Sequence, residues 1–114
     1  MSSFLFVGCS STDSRLSLVQ NGVMNFCPQA TVKEMVNNYV RNPKWEAIVG
    51  TDREDYVNIK GEISYDGKAV DMLLQYKVDT NNDSFEVKGF EINGIPQYEF
   101  MTAALLENMC NEAS

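Results

Sequence analysis

Val57-Asn-Ile-Lys-Gly-Glu-Ile-Ser-Tyr-Asp-Gly-Lys-Ala-Val-Asp-Met-Leu-Leu-Gln-Tyr-Lys-Val78 is the stretch that decides the fold. Its first half sets Val57, Ile59, Gly61, Ile63 and Tyr65 against Asn58, Lys60, Glu62 and Ser64. Successive side chains of a strand point to opposite faces, so this period of two describes a strand with one apolar and one polar face. Val70, Met72, Leu74, Tyr76 and Val78 repeat the pattern beyond Asp66-Gly67. An Asp-Gly pair between two alternating runs is a strong hairpin signal, because both central residues of the tight turn need positive φ. The stretch therefore predicts an antiparallel hairpin with one buried face.

Working outward, Trp45, Ala47 and Val49 alternate with Lys44, Glu46 and Ile48, and the charged loop Gly50-Thr-Asp-Arg-Glu-Asp55 joins them to the hairpin. Downstream, Asp79-Thr-Asn-Asn-Asp83 leads into Phe85-Glu-Val-Lys-Gly-Phe-Glu-Ile92. By parity Phe85 and Val87 share one face and Phe90 and Ile92 the other, so Gly89 between them predicts a bulge that switches face. Asn93-Gly94 ends this strand. Upstream, Thr31 with Glu34 three residues later is a capping box, and Val32, Met35, Val36, Tyr39 and Val40 form one helical stripe. Asn42-Pro43 stops that helix, since the residue before proline is pushed out of the α region. After Pro96, residues Phe100, Met101, Ala104, Leu105 and Met109 fall at helical spacing, with Glu99, Glu107 and Asn108 facing outward. Leu16 to Phe26, around Asn21-Gly22, reads as a short strand or an irregular packed arm.

The expected fold class is α+β: a helix, a four-stranded antiparallel meander and a C-terminal helix, in two layers with both helices packed on one sheet face. The other face, carrying Asn58, Lys60, Glu62, Asp71, Gln75, Lys77, Glu86 and Lys88, is expected to be solvated. Tyr39, Tyr65, Tyr76 and Trp45 sit on apolar faces and are expected in the core.

Composition narrows the function. The chain has 114 residues, enough for one domain. With 9 Lys+Arg against 16 Asp+Glu the net charge is −7, which disfavours nucleic acid and anionic lipid as partners. There is no histidine, which removes Ser-His-Asp and Cys-His catalysis and histidine metal sites. No CxxC pair, glycine-rich phosphate loop or long apolar span occurs. Asp79, Asn81 and Asp83 imitate the start of a calcium loop, but Ser84 and Phe90 stand where that loop needs Gly and Glu. These exclusions predict a non-enzymatic protein without metal or cofactor.

Phe4, Leu5, Phe6 and Val7 run into Gly8-Cys9, and Ser10, Ser11, Thr12 and Asp13 follow. This resembles the end of a bacterial lipoprotein signal, in which the cysteine becomes lipidated and a polar tether follows. The apolar run has four residues, where a complete signal has ~7–15 and a basic start. The resemblance implies a lipid on Cys9 as the sole membrane contact, with residues 1–16 as signal remnant and tether and 17–114 as the domain. The alternative is an N-terminal strand with a buried thiol. In an exported chain the remaining pair, Cys27 and Cys110, is expected to form a disulfide; in a cytoplasmic one they are two separate thiols.

Val19-Gln-Asn-Gly22, Asn42-Pro-Lys-Trp45, Tyr65-Asp-Gly-Lys68 and Glu91-Ile-Asn-Gly-Ile-Pro-Gln97 before an apolar helix form a further pattern. It is similar to a small bacterial domain of uncharacterised function found in exported proteins, lipoproteins and some zinc-ribbon proteins. The resemblance implies a fold over about residues 18 to 110 and no reaction; the zinc-ribbon cysteines are absent. The expected role is a cell-envelope lipoprotein or exported domain that binds another protein. The runner-up is an acidic inhibitor or immunity-type protein that blocks a cationic enzyme or toxin. Asp52, Glu54 and Asp55, with Tyr56 and Tyr98 off the main apolar stripes, are the expected partner-binding residues.

Overall fold

The computed structural model describes residues 13–113. Helices α1 (Ser14–Gln20) and α2 (Val32–Tyr39) precede strands β1 (Arg41–Val49), β2 (Asp55–Tyr65), β3 (Lys68–Asp79), β4 (Ser84–Ile92) and β5 (Ile95–Pro96), and α3 (Glu99–Ala113) closes the chain. The strands form one antiparallel sheet in sequential order. The fold is the expected α+β meander with a two-residue fifth strand added, where Ile95 pairs with Ile92 and Pro96 with Glu91.

Local signals fix most of these elements. The β2–β3 register runs unbroken from Asp55↔Val78 to Tyr65↔Lys68, with Asp66 at φ 55° and Gly67 at φ 76° in the turn. In α2 the capping box is complete: Thr31 N–H donates to Glu34 Oε1 at 2.8 Å, and Glu34 N–H donates to Thr31 Oγ1 at 3.1 Å. Val40 ends that helix in an extended conformation and β1 starts at the next residue. Gly61 permits this junction, since a Cβ there would stand 2.8 Å from the Arg41 carbonyl oxygen.

The bulge in β4 lies where Gly89 predicts it. Gln75 pairs with Gly89 but Tyr76 pairs with Val87, which leaves Lys88 as the extra residue. The shift turns Phe85, Val87, Phe90 and Ile92 all toward the helices. With Val57, Ile59, Ile63, Met72, Leu74, Tyr76 and Val78 they form the inner sheet face. Against it pack Val19 of α1, Val32, Met35 and Val36 of α2, and Leu105, Leu106 and Met109 of α3, in one core. Trp45 and Tyr39 join it half-buried.

Three expectations need correction. Ser14 to Leu16, expected as part of a polar tether, are the start of α1, capped by Asp13, whose carboxylate accepts from Arg15 N–H at 2.9 Å. Tyr65 ends a strand at the solvent and is 43 % exposed. The outer sheet face is less solvated than its polar pattern suggests. Asn58 is 8 % and Tyr56 7 % exposed, because β2 is flanked on both sides by long side chains and Gln75 donates to Asn58 Oδ1 at 2.9 Å.

Cys27 and Cys110 are bonded, with their Cα atoms 5.8 Å apart. The bridge ties the Met24–Cys27 turn, closed by Cys27 N–H donating to the Met24 carbonyl at 2.9 Å, to the last turns of α3. It spans 83 positions, so loop closure in the unfolded chain contributes about 4 kcal/mol.

Candidate functional site

The expected binding residues divide between two places. Asp52, Glu54, Asp55 and Tyr56 do meet, at the β1–β2 loop, where Gly50 N–H donates to the Glu54 carbonyl at 2.8 Å. Each is already engaged there. The Asp52 carboxylate accepts from the Tyr56 hydroxyl in a short bond and from Glu54 N–H at 3.0 Å. These two bonds hold the Asp52 carboxyl below the usual carboxylate range. The same hydrogen bond, reinforced by burial, pushes the Tyr56 phenol up to about 12. Asp55 accepts from Arg15 Nη1 at 3.0 Å. Arg15 also pairs with Asp13 at 2.8 Å; that hydrogen bond, above all, raises the guanidinium and lowers the Asp13 carboxyl. Glu54 lies 3.7 Å from Lys77. Tyr56, 7 % exposed, is a strut of this loop rather than a contact surface.

A polar cleft lies between this loop and the β3–β4 loop, lined by Arg53, Glu54, Lys77, Asp79, Ser84 and Glu86. The Asp79 carboxylate accepts from Asn81 N–H at 3.0 Å and from Asn82 Nδ2 at 2.6 Å, so it closes its own turn. Among the described residues no group of three or more cysteines, aspartates or glutamates is arranged to hold a metal.

The second place is apolar. Phe26, Phe100, Ala103, Ala104, Leu106 and Glu107 line a groove of about 530 Å³ along α3. Phe26 is 48 % exposed and Phe100 70 %. Tyr98, 77 % exposed, stacks on Phe100 with ring centroids 5.8 Å apart and planes 8° from parallel. Tyr98 thus belongs to the entry of α3 and not to the acidic loop. Contiguous exposed aromatic surface of this kind marks interaction sites.

The outward rings go with the side of α3 that is buried. The expected inward stripe of α3 is Phe100, Met101, Ala104, Leu105 and Met109, but Thr102, Leu105, Leu106, Met109 and Cys110 are buried. Cys110, bonded to Cys27, lies on the same buried side of α3 as Leu105, Leu106 and Met109, and Phe100 and Ala104 are exposed. On the other wall, buried Cys27 leaves its neighbour Phe26 at the surface. One disulfide thus joins the two segments that carry the aromatic walls. The sequence does carry a signal for this surface: Phe100, Ala103 and Ala104 form a second apolar stripe, more than one buried face needs.

Cys9 lies outside the described residues. No protein-family model, curated protein or solved structure matches this chain.

Proposed function

We propose that the protein is an exported cell-envelope domain, lipid-anchored through Cys9, that works without catalysis by binding another protein at the Phe26–Phe100 groove. The observation that carries this reading is the Cys27–Cys110 bond, which joins the residue next to Phe26 to the helix that carries Phe100. Buried disulfides persist in oxidising compartments, which supports export. Their usual role is to brace a domain, and here the brace links the two segments that carry the exposed aromatic side chains. Solvent-facing aromatics cost free energy in the isolated protein and are enriched at the anchors of protein interfaces. The inhibitor reading draws less support, because the carboxylates of the acidic loop are paired within the protein.

The test is the intact mass of the protein taken from its native host, alkylated before and after reduction. A lipid increment on Cys9 and two thiols that appear only on reduction are the expected result. Three thiols alkylated without reduction on an unmodified chain would place it in a reducing compartment and overturn the proposal.

A further inference from the structure

The groove also carries a charge pattern. Glu99, Ala103 and Glu107 are four residues apart in turn, so they form one side of α3, next to Phe100 and Ala104. Glu107 lines the groove itself. Both glutamates are exposed, and neither makes an ion pair among the described residues. α3 contains no Lys or Arg, and Glu112 adds a third negative charge. The floor beside this acidic stripe is Ala103 and Ala104, whose small side chains let another backbone approach closely.

From this juxtaposition we infer that the groove takes a cationic amphipathic helix, with basic residues about two turns apart beside an apolar stripe. Glu99 and Glu107 are eight residues apart, about 12 Å along the helix axis, which matches that spacing. The apolar stripe lies between Phe26 and Phe100, the helix-in-groove mode of recognition. Charge selects among the possible occupants. A second copy would bring its own Glu99 and Glu107 against the first pair. The chain's residues 1–12 contain no Lys or Arg. An anionic membrane is repelled by the same stripe. A basic, apolar partner segment is the occupant that both the charges and the rings complement. This inference rests on the protein-binding role proposed above and adds the chemistry of the partner.

Two labelled helical peptides test it on the full chain by fluorescence anisotropy. One carries lysines two turns apart beside a leucine stripe; in the other each lysine is replaced by glutamate. The lysine peptide should bind at least tenfold more tightly than the glutamate peptide. Phe100→Ser should weaken its binding at least tenfold. Glu99→Lys with Glu107→Lys should reverse the preference, so that the glutamate peptide now binds better. All three positions are exposed, so these variants keep the fold, checked by circular dichroism.

An unchanged preference in the double variant would overturn the inference. So would failure of the lysine peptide to bind, or tight binding to phosphatidylcholine vesicles that Phe100→Ser abolishes, which would make the face a membrane surface. A photoreactive residue at position 100 in the native host separates the two levels of failure. If it still links to one discrete protein while the peptides fail, only the cationic-helix chemistry is wrong. If it links to none, the protein-binding role falls with it.

Discussion

The acidic loop and the aromatic groove differ in how completely the protein satisfies its own surface. The loop draws attention by charge, yet Asp52, Glu54 and Asp55 each have a partner within the fold. The groove holds few charges, yet Tyr98 and Phe100 stack on each other largely in solvent and Phe26 is 48 % exposed. A carboxylate that the fold already pairs, as in this loop, says little about binding. A large apolar ring at the surface remains uncovered until something packs on it. The unpaired surface is therefore the more informative one.

The sharpest way to break this contrast is to remove the brace. Cys27→Ala with Cys110→Ala should cost about 4 kcal/mol in denaturant unfolding, and amide exchange should rise first in the last turns of α3 and the Met24–Cys27 turn. If the loop at Gly50–Asp55 opened first instead, the bridge would not be what holds the groove. Met35→Ala removes a fully buried side chain from α2 and should cost about 2–5 kcal/mol. Phe100→Ser, at a position 70 % exposed, should change stability by less than about 0.5 kcal/mol. The ratio of these last two measures how far the two faces of the helical layer differ in purpose.

On the loop side the effects are smaller. Asp55→Asn removes one of two carboxylates from Arg15 and should cost about 0.2–1 kcal/mol, less at high salt. The Tyr56–Asp52 bond is best read by titration. Because the folded phenol titrates at about 12, above its unfolded value, its contribution is complete below the ordinary tyrosine range and fades as pH rises through 12. Asp52 is shifted down, so its contribution holds at neutral pH and disappears as acid protonates it below the usual carboxylate range. Near-ultraviolet absorbance should show a tyrosine step at about 12 that is missing in Tyr56→Phe. If Tyr56→Phe instead removed absorbance change in the ordinary tyrosine range, the loop would be open in solution.

What could be read from the sequence follows the range of the signals. The β2–β3 hairpin, the capped α2 and the Gly89 bulge rest on residues within a few positions of one another, and all three are present. α1 has seven residues, too few for a helical period to stand out, and its Leu16, Leu18 and Val19 imitate a strand. Only Val19 of these is fully buried. The orientation of α3 is hard to read because it is apolar nearly all round: Leu105 and Met109 of the expected stripe are buried, but with Thr102, Leu106 and Cys110 in place of Phe100 and Ala104. In the acidic loop, Asp55 is neutralised by Arg15, 40 positions distant. Candidate residues chosen by charge alone could not anticipate partners supplied by the fold.

The central claim is that the groove, and not the loop, meets the partner. It is tested most directly by placing a photoreactive residue at Phe100 or at Glu54 in the native host. The account predicts one discrete cross-linked protein from position 100 and none from position 54. A product from position 54 alone would contradict it and restore the acidic loop as the binding surface.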